Sequence, residues 1–168
     1  MKNWHLLYTK PKEDARAQTN LLNQGYEIFR PLIRHHRLVK GSQKTLVESL
    51  FPRYIFIKLD QESSDWARLR STRGVMKLVS FNQVPAVVPE VLVKDLMAQT
   101  SADGVVDRTT VQKSLFKEGE EVEISEGSFF GLRAIVKAQT SEERVIVLLN
   151  MLGSQQSVSL PIAALRLA

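Results

Sequence analysis

The spacing of apolar positions changes character about two thirds of the way along the chain. Residues 4–9 (WHLLYT) form a short β-rich run and predict an opening strand. After Pro11, the acidic pair Glu13 and Asp14 precedes Ala15, Ala17, Leu21 and Leu22, and the run ends at Gly25. Acid in a first turn and glycine just past the last turn predict a helix. Residues 26–29 and 32–39 read as extended, the second laced with Arg34, His35, His36 and Arg37; Gly41 to Lys44 reads as a hairpin-like turn, and 45–50 returns. Over residues 50–60 (LFPRYIFIKLD), Tyr54, Phe56 and Lys58 share one face while Ile55, Ile57 and Leu59 share the other. Apolar side chains on both faces predict a central strand covered on each side. Residues 63–71 predict a short helix carrying Trp66, Arg68 and Arg70, residues 72–75 a turn, 76–81 a strand and 90–99 a helix. Residues 1–99 therefore predict an α+β sandwich.

Residues 100–113 are polar, contain Gly104 and lack apolar periodicity, which predicts a flexible linker. From 114 to 168, Gly119, Gly127 and Gly131 separate short β-prone segments, and five such strands predict a small β-barrel. One segment conflicts with that barrel. Residues 144–152 (RVIVLLNML) are almost unbroken in apolar character and rich in good helix formers. Such a conflict between local propensity and topology marks strain, function or two competing folds.

Composition narrows the class. The chain has 168 residues, 43% hydrophobic and 24% charged, which excludes collagen-like, disordered and coiled-coil rod classes. No apolar run approaches the roughly 18 residues of a membrane span, and the opening segment is too soon charged for a signal peptide. Without cysteine there is no disulfide, thiolate-zinc site or catalytic thiol, in keeping with a cytoplasmic protein. No Walker loop, dinucleotide fingerprint or nucleophile elbow is present; the 127–131 run (GSFFG) lacks the lysine of a phosphate loop. His35 and His36 are adjacent and face opposite ways in a strand, and His5 stands apart, so no metal set forms. Glu120, Glu121 and Glu123 read as exposed turn charge rather than an acid/base pair. Neither enzyme chemistry nor a cofactor is expected.

Charge points elsewhere. Residues 1–100 carry 16 Lys+Arg against 9 Asp+Glu, whereas residues 101–168 carry 7 against 9. Lys10, Lys12 and Arg16 mark the first strand–helix junction, and Arg68, Arg70, Thr72 and Arg73 the later helix and turn. In an α+β sandwich these two loops can share one end of the sheet and offer donors to phosphates and base edges. Spacing alone fits a scattered basic rim equally well.

The runs WHLLYTKPKEDARA, LFPRYIFIKLD, TRGV (72–75) and EGEEVEISEGSFFGLRAIV (118–136) resemble the NusG-type transcription elongation factors. The first three match the family's N-terminal domain and the last its KOW domain. Within the family the chain is most similar to the operon-specific RfaH branch, on the opening strand, the 38–52 stretch and the helix-prone 145–152 segment. The resemblance implies binding to the clamp helices of the largest RNA polymerase subunit through an apolar patch of Tyr54, Phe56, Phe81, Val93 and Leu96. A gate-loop contact is implied weakly, because Asp65-Trp66-Ala67 replaces the family's His-Thr-Thr. It implies reading of a non-template single DNA strand by Lys10, Arg16, Asn20, Arg68, Arg70, Thr72 and Arg73, although Arg68 and Arg70 replace smaller polar residues. It also implies a C-terminal domain that masks the patch as a helical hairpin under a Glu48–Arg144 ion pair. After release that domain would refold to a barrel and recruit a small-subunit ribosomal protein through Ile124, Leu132, Leu148 and Leu152. A cytoplasmic, monomeric factor without membrane contact is expected. A general NusG-type factor and a ribosome- or RNA-binding KOW protein are the alternatives.

Overall fold

A computed structural model describes residues 2–62, 65–107, 135, 138 and 140–156. Its first strand, β1 (Lys2–Thr9), lies inside a sheet because both of its faces are apolar. It pairs antiparallel with β5 (Tyr54–Asp60) on one side and β6 (Val75–Leu78) on the other. With β2 (Glu27–Phe29) at the far edge of β5, the order is β2-β5-β1-β6. The period-two alternation then sorts the core into two halves. Trp4, Leu6 and Phe56 project to one side, and Leu7, Ile55, Ile57 and Leu59 to the other. On that second side α1 (Asp14–Asn23) supplies Ala17 and Leu21, and α2 (Trp66–Arg70) supplies Leu69. On the first side α3 (Glu90–Ala98) supplies Leu92, Val93 and Leu96. Each fully buried large side chain contributes about 1.5–3 kcal/mol, so the double-sided sheet is the stabilising centre of this unit.

A hairpin of β3 (Leu32–Val39) and β4 (Ser42–Ser49) leaves this sheet. Its turn is Lys40-Gly41, one residue earlier than the sequence suggests, with φ of 52° and 78°. Two consecutive left-handed residues make the turn type whose twist matches the strands. A smaller hairpin, β7 (Ser80–Phe81) and β8 (Val84–Pro85), turns through Asn82 and Gln83 in the same way.

Residues 100–113 are not uniformly a linker. Val105–Asp107 forms β9, parallel to β3 at Leu32, Ile33 and Arg34. Two buried valines and an open strand edge outweigh the polar surroundings: Val105 and Val106 both leave solvent, and the Gly104 carbonyl accepts from Leu32 N at 3.0 Å.

Where the barrel pattern placed a strand over residues 144–152, the chain is helical. Helix α4 (Ser141–Gln156) begins after Thr140, whose side-chain oxygen accepts from Glu143 N at 3.2 Å. Thr140 with Glu143 three residues on is the sequence signature of a capping box, and Glu142 and Glu143 suit the positive end of the helix dipole. Helix propensity therefore prevails over strand alternation in this segment. Ile135, from another segment expected as a strand, is helical too, and the expected barrel positions Ile124 and Leu132 lie outside the described residues.

Candidate nucleic-acid and protein interfaces

The two basic loops meet at one corner of the sandwich. Lys10 N donates to Gly74 O at 2.8 Å, closing the β1–α1 loop onto the turn before β6. Gly74 is left-handed at φ +93°, and a Cβ there would lie 2.9 Å from Ala17 N and 3.0 Å from Glu13 O. The loops can approach this closely only because that side chain is missing. Asn20 Nδ2 adds a bond to Arg73 O at 3.1 Å across the same joint. Asp65 caps α2 by accepting from Arg68 N at 3.0 Å, which fixes the helix that carries Arg68 and Arg70.

Lys10, Arg16, Arg68, Arg70 and Arg73 are all exposed at this corner, as is Lys12. Arg16 leans on Glu13 at 3.0 Å. Thr72 differs from the expectation. It is 5% exposed, its hydroxyl lies 2.9 Å from Arg68 O, and Gln24 Nε2 donates to it at 3.0 Å. Its place is inside the turn, holding the arginines, and not on the accessible face. Asn20 likewise spends its amide on the joint. The physical content of the corner is thus six arginines and lysines on a rigid frame, suited to phosphate contact.

The apolar patch lies on the opposite core half. Phe56, Val93 and Leu96 are buried, and Tyr54 and Phe81 pack against them half-buried. Leu148 and Leu152 of α4 and Ile135 belong to the same cluster, so the C-terminal segment occupies this face. Arg144, one turn earlier on α4, is 3% exposed. Its Nε donates to Leu50 O at 2.9 Å and its guanidinium lies 3.4 Å from Glu48 Oε1. A buried guanidinium needs such partners; a hydrogen bond to a charged group is worth about 1.5–3 kcal/mol. Glu48 is 46% exposed in its side chain, so the Coulombic part is screened and the pair is worth less than a fully buried one.

Two residues at the rim of this face went unsingled in the sequence. Tyr8 stands opposite Tyr54 and Lys77 across the sheet, with the tyrosine rings 5.1 Å apart. The Arg53 guanidinium lies 4.2 Å from the Tyr8 ring centroid. Arg53 adopts φ 73°, held there by Thr9 N donating to its carbonyl at 2.8 Å and its own Nε donating to Thr9 O at 3.1 Å. Burial raises the Tyr54 hydroxyl's proton affinity, Tyr8 adds to this, and Arg53 opposes it. Period two placed Tyr8 on the face of Leu6, which was the available signal. Trp66, from the segment that departs from the gate-loop motif, turns inward, its ring edge-on to His5 at 6.4 Å.

Among the described residues no group of three or more His, Cys, Asp or Glu could hold a metal, and no helix is long and apolar enough to cross a membrane. A basic corner and a covered apolar face on one small α/β domain are surfaces of the kind that macromolecular partners use. The family model for NusG, described as transcription termination factor nusG, matches residues 2–97. The chain belongs to the NusG family of transcription termination/antitermination factors, whose members are transcription factors and not enzymes. It is 24% identical over 169 residues to the transcription termination/antitermination protein NusG of Halalkalibacterium halodurans, covering 95% of this chain and 94% of that one. The NusG of Deinococcus radiodurans is 24% identical over 179 residues, covering 94% of each chain. That of Streptomyces galbus is 23% identical over 175 residues, covering 94% of this chain, which spans only 57% of the relative's length. A solved structure described as "Domain interaction in Thermotoga maritima NusG" is similar at a TM-score of 0.34 and 18% identity, over 74% of this chain and 63% of that one, a likeness too slight to bear on the fold.

Proposed function

We propose that this chain is an autoinhibited, recruited NusG-type elongation factor of the RfaH kind. In this reading the face of Tyr54, Phe56, Phe81, Val93 and Leu96 docks on the clamp helices of RNA polymerase and suppresses pausing and termination. Lys10, Arg16, Arg68, Arg70 and Arg73 hold an exposed non-template DNA strand, with Asn20 and Thr72 positioning them. The C-terminal segment leaves the face when polymerase arrives. It then forms a KOW barrel and engages a small-subunit ribosomal protein through Ile124, Leu132, Leu148 and Leu152.

The supporting observation is helix α4 seated on the apolar face with Arg144 held by Glu48 and the Leu50 carbonyl. A factor that exposes this face permanently has no use for such a cover. The test is NMR secondary shifts over residues 141–156 in the full chain and in Glu48→Ser, together with binding to paused elongation complexes. Helix in the parent, loss of that helix in Glu48→Ser and tighter polymerase binding by the variant are expected. Equal affinity for complexes with and without a specific non-template element would instead make it a general NusG-type factor, the reading favoured by the names of its relatives.

A further inference from the structure

The end of β4 presents two different faces to two different parts of the protein. Glu48 and the Leu50 carbonyl meet Arg144 of α4. Between them Ser49, 8% exposed, turns the other way. Its hydroxyl donates to Asp14 Oδ2 at 2.6 Å and accepts from the Arg30 guanidinium at 2.7 Å. Arg30 Nε in turn donates to Gln18 Oε1 at 2.6 Å, and Leu50 N donates to Pro31 O at 2.9 Å. Two side chains, from α1 and the β2–β3 connection, thus converge on one hydroxyl of β4, which is flanked in sequence by both groups that grip Arg144.

The network has no apolar role, and it is not at either interface. Short bonds to an ionised carboxylate and an ionised guanidinium are the strong and directional kind. They fix the rotation of the strand end about its own axis. Because side chains alternate along a strand, fixing Ser49 inward fixes Glu48 on the opposite face, toward α4. We infer that Ser49, clamped by Asp14 and Arg30, is a positioning residue for the Arg144 latch and ties that latch to helix α1, which carries part of the basic corner. The inference rests on the reading of α4 as a removable cover.

Amide hydrogen exchange in the full-length protein tests it. Residues 147–152 of α4 report opening of the cover, and amides of β1 and β5 report opening of the sheet. Ser49→Ala is expected to speed exchange of the α4 amides about tenfold, the loss of one charge-assisted bond's worth of register, with β1 and β5 unchanged. Asp14→Asn, which keeps an oxygen to accept the hydroxyl, is expected to give a smaller acceleration confined to the same amides. Unchanged α4 exchange in both variants overturns the inference. So does an equal rise in α4 and in the sheet, which would make the network ordinary glue. Glu48→Ser separates the two levels: if it leaves α4 exchange unaltered, the removable-cover reading itself fails, whatever Ser49→Ala does.

Discussion

His5 is fully buried, with Nδ1 2.9 Å from Ala86 O and Nε2 without a partner. The geometry suits the neutral ring with its proton on Nδ1. Burial lowers the proton affinity, and the bond to the Ala86 carbonyl offsets only part of that. An unfolded chain takes up this proton near the ordinary histidine value of about 6.5, while the native state resists. The contribution of His5 to stability is therefore complete above that value. It is lost as pH falls toward the lowered native pKa. The thermal midpoint of the full chain should fall between pH 7 and pH 5, and His5→Gln, which keeps a donor for Ala86 but cannot titrate, should flatten part of that slope. An unchanged slope in the variant would assign the dependence to other groups. Sequence treated His5 only as a ligand too few for a metal site, because its burial depends on Trp66 closing over it from another element. The inward turn of Thr72 is hidden for a similar reason: hydroxyl and guanidinium neighbours in a turn look alike until tertiary contact decides which of them face in.

Elements with a clear period were legible. The alternation of residues 54–59 gave both faces of β5, and acid before and glycine after gave α1. β9 was not, since three residues carry no period and their pairing with β3 is non-local. The 144–152 segment was legible as a conflict, and the Thr140–Glu143 pair was the overlooked local vote for helix. The joint between the basic loops was half legible: the residues were in hand, but the contact rests on Gly74. Its replacement is a test at this scale. Gly25 and Gly74 are both left-handed, yet a Cβ on Gly25 meets nothing within 4 Å. Gly25→Ala should cost about 1–2 kcal/mol for the backbone conformation alone. Gly74→Ala carries that cost plus displacement of α1, so its urea midpoint should fall further, and its affinity for single-stranded DNA should weaken as the loops part. Equal midpoints for the two variants would mean that the α1 contact yields freely.

At the scale of the whole molecule, the proposed function gives one apolar face two occupants, and their competition would set the apparent affinity for polymerase. If only a fraction of molecules have α4 lifted, the apparent dissociation constant is the intrinsic one divided by that fraction. Weakening the cover without touching the face must then tighten binding. Leu148 is buried against the face from the α4 side, whereas Phe56 belongs to the face itself. Leu→Ala in a packed site costs about 2–5 kcal/mol. Alanine keeps α4 helical, so that cost falls on docking and not on the helix. Leu148→Ala should bind core polymerase more tightly, by about 30-fold at the lower end of that cost, until the open state dominates. The unfolding midpoint reported by the β1–β5 amides should stay put. Phe56→Ala removes packing common to both occupants, so it should lower sheet stability and weaken polymerase binding together. Titrating labelled full-length protein against core polymerase distinguishes the cases by sign. Weaker binding by Leu148→Ala would mean that α4 forms part of the polymerase contact instead of excluding it.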